Sequence, residues 1–240
     1  MSKQDLSACV PDGLPLDRQV WNMLDSEFAH LAIGSGDARR IDPAYGPFAA
    51  ARSLDRECQN ALRDLLTGHD DQLWLVEPQV WPAPEGTRVV RSAELVQMVA
   101  EADGLSEAAQ HPDIVPLDEP DAAEMMALAH ATEPGPWESK THKYGQFFGI
   151  RIDGKLVAMA GERMRPSAGY AEVSGVCTYP EYRGRGLARR LIAHVMQAQQ
   201  QRGEVPYLHS YASNAGAIGL YESLGFRHRR NMFVTILALA

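Results

Sequence analysis

Short apolar runs of strand length recur through the second half of the chain. Their length and their bounding turn residues are typical of strands in a sheet. Asp153 and Gly154 separate two of these runs and predict a tight hairpin, because both residues tolerate a positive φ. The predicted strands lie at 114–117, 147–152, 156–162, 170–178, 205–211 and 233–240.

Three segments between these runs are predicted to be helices. An aspartate can cap the first, and the other two place apolar residues on one face. The three segments extend from Asp118 or Asp121 to 131, from 183 to 202 and from 215 to 224. Gly203 and Gly225 follow the last two segments and are suited to end a helix. Strands and helices in this order predict an α+β (α/β) fold built on one sheet.

The first half of the chain has weaker patterns. We predict a helix at 21–34, ending near Gly34, and a second helix at 54–66. A short strand is predicted at 73–76 and a loop at 80–86. Residues 88–99 mix the patterns of strand and helix, and a polar stretch at 101–113 follows. We therefore predict a smaller α/β region at 1–108 and a second domain at 109–240. The first region is interpreted as a cap, a degenerate partner domain or a dimer surface.

Charge and cysteine content exclude several classes of function. The chain of 240 residues has a formal net charge of −8, which argues against nucleic acid as a partner. Its three cysteines form no CxxC pair, so neither a disulfide framework nor a structural zinc site is expected, and no metal is expected elsewhere. No apolar run of ~20 residues predicts a membrane span. The start of the chain does not resemble a signal peptide, and we expect a cytoplasmic protein without a membrane partner.

One strand is followed by a glycine-rich turn that opens a helix. Pro180 ends the strand, and Gly184 and Gly186 precede the helix, whose first backbone N–H groups lack partners within the helix. Arg183 and Arg185 add positive charge to the helix dipole there. This pattern predicts a pyrophosphate site, with a solvated turn as the alternative. It is not a P-loop, because GxxxxGK[ST] does not occur.

A second segment lies about 28 residues further on. Asn214 can cap the helix that follows it, and Ala217, Tyr221 and Leu224 share one face of that helix. Considered alone, Tyr221 is better explained as a core aromatic residue with a satisfied hydroxyl.

Together, the two segments resemble the Gcn5-related N-acetyltransferase (GNAT) superfamily, and in detail its FR47-like branch. The resemblance covers about residues 114–240. The matching motifs are Arg183-x-x-Gly186-x-Ala188 and Asn214-x-x-Ala217-x-x-Leu220-Tyr221-x-x-Leu224-Gly225-Phe226.

The resemblance implies a mixed central sheet, flanked by helices, in which two parallel strands splay apart to hold acetyl-CoA as cosubstrate. Those strands would be 170–178 and 205–211. Asn214 would reach the CoA arm, and Tyr221 would lie beside the thioester sulfur. Backbone groups would hold the pantetheine arm at Val176, Cys177 and Thr178, and the pyrophosphate at Arg183, Gly184, Arg185, Gly186, Leu187 and Ala188.

The implied reaction is direct transfer of acetyl to an amine. Tyr221 would donate a proton or a hydrogen bond to the departing thiolate. Glu172 is the candidate base. The alternatives for Glu172 are a solvent-facing carboxylate or an ion-pair partner, with a water-mediated route or no dedicated base for the reaction. Acylation of Cys177 is a further alternative, although buried cysteine is commonly inert.

The acceptor amine is not identified by the sequence. A small molecule, an amino acid and a peptide all remain possible, and His142 and Trp137 lie in a loop where the family often builds its acceptor pocket. A homodimer is the expectation from the resemblance. The alternative function is a CoA-binding regulatory or interaction module without turnover.

Overall fold

The computed structural model describes residues 14–101, 113–167 and 169–240. Cys9 and most of the proposed boundary at 101–113 lie outside these residues. The helices are α1 Gln19–Asp25, α2 Arg56–Arg63, α3 Ala122–Thr132, α4 Leu187–Gln201 and α5 Ala215–Glu222. The strands are β1 Ala32–Gly34, β2 Ala38–Ile41, β3 Ala49–Ala51, β4 Leu73–Glu77, β5 Thr87–Ala100, β6 Ile114–Leu117, β7 Phe147–Ile152, β8 Lys155–Glu162, β9 Tyr170–Thr178, β10 Val205–Tyr211 and β11 Phe226–Leu239.

Eight of these strands form one mixed sheet in the order β4-β11-β5-β10-β9-β8-β7-β6. Within it β9 and β10 are parallel, and every other described pair is antiparallel. Strands β1, β2 and β3 form a separate small sheet. Apolar residues of α4 and of α3 are buried in two clusters that also contain strand residues of the large sheet. The α+β prediction is therefore confirmed.

Strand β5 comes from the first half of the chain but lies inside the sheet of the second half. It pairs with β10 on one side and with β11 on the other. This pairing settles the ambiguity at 88–99 in favour of a strand, and β11 begins earlier than the terminal strand predicted at 233–240. The division at residue 108 stays a prediction, and strands from both sides of it share one sheet.

The helix predicted at 21–34 is wrong beyond Asp25. Ser26 leaves the helical conformation (φ −134°, ψ −104°), and its hydroxyl donates to the carbonyls of Asn22 and Pro166. Phe28 then packs edge-on against Tyr144, with ring centroids 5.5 Å apart. The apolar spacing that suggested a longer helix is produced by residues that pack into the core from a short helix, a 3₁₀ turn and β1.

The parallel strands β9 and β10 stay together for only three residue pairs, which run from Val205 with Tyr170 to Tyr207 with Glu172. Beyond them β9 follows β8 instead, through a register shift of one residue. Gly175 lies at this bulge with φ +60°, where a Cβ atom would stand 2.7 Å from the ring of Phe147. The bulge and the separation of the strands confirm the splayed sheet.

In the part of the chain that the structure describes, no helix combines the length and the apolar character needed to cross a membrane.

We expect Gly175→Ala to destabilise the fold by about 2–4 kcal/mol, because it adds both backbone strain and a clash with Phe147. Urea unfolding measures the loss. Gly203→Ala is the matched control: Gly203 also has a positive φ (+78°), but no atom lies within 4 Å of its Cβ position. The control should lose only the strain of about 1–2 kcal/mol. Equal losses in the two variants would contradict the proposed clash.

Candidate active site

A cavity of about 320 Å³ lies where β9 and β10 separate. Strands β9 and β10, helix α5 and the loop after α3 each contribute part of its lining, and so do residues from the first half of the chain, the segment after β8 and β11. The loop contributes residues 133–136. The two loop residues that the sequence suggested for an acceptor pocket, Trp137 and His142, do not line this cavity. Trp137 is buried against Phe147, and His142 Nε2 lies 3.0 Å from Glu119 Oε2.

Helix α5 presents Tyr221 to this cavity. Asn214 begins the helix by accepting a hydrogen bond from the backbone N–H of Ala217, as predicted for a capping residue. The helical repeat then brings Ala217 and Tyr221 to the same cavity. Burial raises the pKa of Tyr221 to about 12. The phenol is therefore protonated at neutral pH and available as a hydrogen-bond donor.

Glu172 lies on β9 at the same cavity, with its side chain 1% exposed. Burial alone would raise its pKa, but the Arg163 guanidinium at 3.0 Å and His209 Nδ1 at 2.9 Å hold the pKa at about 2. The carboxylate is thus ionised at neutral pH and is a weak base. This geometry matches the ion-pair alternative for Glu172.

The sequence patterns did not identify His209 as a site residue. It lies on β10 two residues after Tyr207, the partner of Glu172, so its side chain shares that face of the sheet. His209 Nε2 lies 3.1 Å from the Nε2 of Gln97 on β5. The Gln97 amide is oriented by its Oε1, which accepts from Arg229 at 2.6 Å, and by its Nε2, which donates to the Leu16 carbonyl.

This orientation assigns the protons on the imidazole. Gln97 Nε2 is a donor, so His209 Nε2 accepts and His209 Nδ1 donates to Glu172. Arg229 reaches Gln97 because β11 has a bulge between His228 and Arg230. Arg229 and Arg230 also pair with Asp17, so part of the basic run at 227–230 is neutralised within the protein.

A second cavity of about 470 Å³ adjoins the first along the turn into α4. Nine predicted cofactor residues line it: Val176, Cys177, Thr178, Arg183, Gly184, Gly186, Leu187, Ala188 and Asn214. Arg185 does not; its guanidinium lies over the Tyr182 ring, 5.2 Å from the centroid.

The turn has the geometry of an anion site. Gly184 and Gly186 have φ of +75° and +72°, and the space around their Cβ positions is open within 4 Å. Arg183 donates to the Thr178 carbonyl, which holds it at the turn. Thr178 Oγ1 is buried with no hydrogen-bond partner among the described residues. These features fit the diphosphate and the polar arm of CoA.

Cys177 is buried, and burial raises the pKa of its thiol to about 12. A protonated, buried thiol is a poor nucleophile, which disfavours an acyl-cysteine. Among the described residues no group of three or more His, Cys, Asp or Glu side chains is placed to hold a metal ion.

Comparisons with known proteins identify the family. The model of the Acetyltransferase (GNAT) family matches residues 113–226. The [ribosomal protein bS18]-alanine N-acetyltransferase of Escherichia coli K12 is 35% identical over 127 residues, which span 49% of this chain and 82% of that protein. The N-alpha-acetyltransferase RimI of Mycobacterium tuberculosis is 35% identical over 86 residues, 35% of this chain and 53% of that protein.

A solved structure extends the likeness over nearly the whole chain. A GNAT-family protein from Novosphingobium aromaticivorans DSM 12444 is 59% identical, with a TM-score of 0.90, and the match covers 95% of this chain and 100% of that one. This structural match therefore includes the first half of the chain, which the family model does not match. The chain belongs to the GNAT family of acetyltransferases.

Proposed function

We propose that the protein transfers acetyl from acetyl-CoA to an amine by direct attack within a ternary complex. The observation that carries the proposal is the junction of the two cavities. Both are lined by Val176, Asn214, Ala217 and Leu220, so one cavity leads into the other at the point where the strands separate. Acetyl-CoA would supply an activated thioester at that junction, and the first cavity would hold the amine.

The chain's own groups would divide the work between binding and catalysis. Backbone groups of Val176, Cys177 and Thr178 would hold the pantetheine arm. The turn at 183–188 would hold the diphosphate, and Asn214 would contact the CoA arm. Within this turn the assignment of Arg185 is less well supported, because Arg185 does not line the second cavity. A backbone N–H near Val176 or Cys177 would stabilise negative charge on the carbonyl oxygen.

Tyr221 would act as the acid. Its phenol is protonated at neutral pH, and its position beside the junction allows a hydrogen bond to the departing thiolate. Because a pKa of about 12 exceeds the ~8.5 of an ordinary thiol, full proton transfer is uphill, and the main contribution would be hydrogen bonding that strengthens as charge develops.

The base role of Glu172 stays a prediction. Its pairing with Arg163 and His209 favours a positioning role, in which the carboxylate orients His209 and balances the buried guanidinium. The proton of the amine would then leave through water, which is one of the alternatives named from the sequence.

Several finer assignments also stay predictions. They include the FR47-like branch, the homodimer, the absence of a nucleic-acid partner and the roles of the site residues. The bS18-alanine enzyme named above makes a protein α-amine one candidate acceptor among amines. A CoA-binding module without turnover is the second candidate, and an assay of acetyl transfer to amines separates the two.

Calorimetric titration with acetyl-CoA tests the cofactor site. The protein should bind saturably, and Gly186→Glu should weaken binding by at least tenfold, because it places a carboxylate in the diphosphate turn. Gly203→Glu is the matched control. Gly203 has a similar φ of +78° but lies about 25 Å from Gly186, at the other end of α4. The control should bind normally. Equal affinity of both variants, or no binding by the unmodified protein, would refute this site.

We expect Tyr221→Phe to lower kcat by about 10²-fold while the Kd for acetyl-CoA stays within a factor of three. The reason is that only the hydroxyl is lost, and its hydrogen bond strengthens in the transition state. Steady-state kinetics and calorimetry measure the two effects. Tyr179→Phe, whose ring instead lies against Lys155, should leave both unchanged. An unaltered kcat in Tyr221→Phe would remove this residue from the mechanism.

The pH profile of Glu172→Gln separates positioning from base catalysis. With a pKa of about 2, Glu172 does not titrate between pH 5 and 9, so the rise of kcat/KM with pH should reflect deprotonation of the amine. We expect this rise to persist in the variant, with a loss of no more than about tenfold. Loss of the rise, or a decrease above about 10²-fold in a variant that still binds acetyl-CoA, would identify Glu172 as the base.

A further inference from the structure

The wall of the acceptor cavity includes residues from the first half of the chain. Phe48, Trp74, Val76 and Leu95 line it, together with Val234 of β11. These side chains are apolar. Of the charged groups that line the cavity, Arg163 is paired with Glu172, and Glu133 lies exposed in the loop after α3. The apolar part of the wall is therefore suited to an uncharged apolar body.

Gln19 is the exception on this wall. Its side chain lines the cavity and is 0% exposed, yet neither Oε1 nor Nε2 has a hydrogen-bond partner among the described residues. A buried amide without partners is costly, and a leucine of similar size would avoid that cost. A group that enters the cavity and bonds to both amide atoms would remove the cost.

The geometry points to Gln19 as the residue that selects the acceptor, and we propose that it recognises an amide carried by the amine. An amide donates and accepts at once, so it can satisfy Nε2 and Oε1 together. A carboxylate only accepts and an ammonium only donates, so either would leave one Gln19 atom unpaired. This inference rests on the proposed function and names its substrate class.

Cavity size and lining narrow that class further. A volume of about 320 Å³ is at the small end for ligand sites, so the amine and the amide must lie close together in one compact molecule. The apolar wall then takes an aliphatic or aromatic side chain. The class that combines these groups is an α-amino amide with an apolar side chain, and leucinamide is its simplest probe.

Calorimetry on the protein saturated with CoA tests the proposal without requiring turnover. Leucinamide should bind at least tenfold more tightly than leucine methyl ester, which has the same side chain and amine and is one heavy atom larger but lacks the amide N–H, and more tightly than leucine. Gln19→Leu should weaken leucinamide binding by about tenfold and abolish the preference over the ester. It should also raise the melting temperature by about 2–4 °C, because an unpaired buried amide is removed.

Gln199→Leu provides the matched control. Gln199 on α4 is likewise 0% exposed with both amide atoms unpaired among the described residues, but it does not line the cavity. This variant should leave the affinity for leucinamide unchanged. Equal binding of leucinamide and the ester, no binding of leucinamide, or unaltered binding in Gln19→Leu would overturn the proposal. Intact CoA and leucinamide binding without acetyl transfer would instead overturn the proposed function alone.

Discussion

Separation of β9 from β10 is the constraint on which the rest of the site depends. Three residue pairs hold the strands together at Tyr170–Glu172 and Val205–Tyr207, and the chain then directs β9 toward β8. Gly175 makes this change of register possible, because a side chain there would meet both backbone strain and the ring of Phe147. Both cavities open in the gap. Without the bulge, β9 and β10 would continue to pair and would close the junction of the two cavities at Val176.

Buried charge connects this gap to the first half of the chain. Arg163, Glu172 and His209 form one end of a hydrogen-bonded series, and Gln97 carries it across β5. Arg229 and Asp17 complete it near the start of the described chain. Each side chain in the series has at least one hydrogen-bond partner within it, which offsets part of the cost of burial. The first half of the chain is therefore part of the framework of the first cavity as well as of its wall.

The local features were predictable because they depend on residues close together in the sequence. The hairpin at Asp153 and Gly154, the cap at Asn214 and the left-handed glycines before α4 all follow from backbone preferences over a few positions. The same reasoning failed at 21–34, where apolar spacing reflected packing in the tertiary structure. The same reasoning did not decide whether Glu172 is a base or an ion-pair partner, because the partners of Glu172, His209 and Arg163, are 37 and 9 residues away.

Sequence alone thus determined the order of strands and helices in the second half of the chain, the strand–turn–helix that suits a diphosphate, and the motifs that led to the GNAT family. Tertiary structure decided the rest. It inserted β5 between β10 and β11, set Gln97 against His209 across 112 residues, and brought Arg229 to Asp17 across 212. It also placed Gln19, whose amide is unpaired among the described residues, on the wall of the cavity that Tyr221 lines. Such contacts depend on strand pairing over long separations, for which no local pattern in the chain is specific.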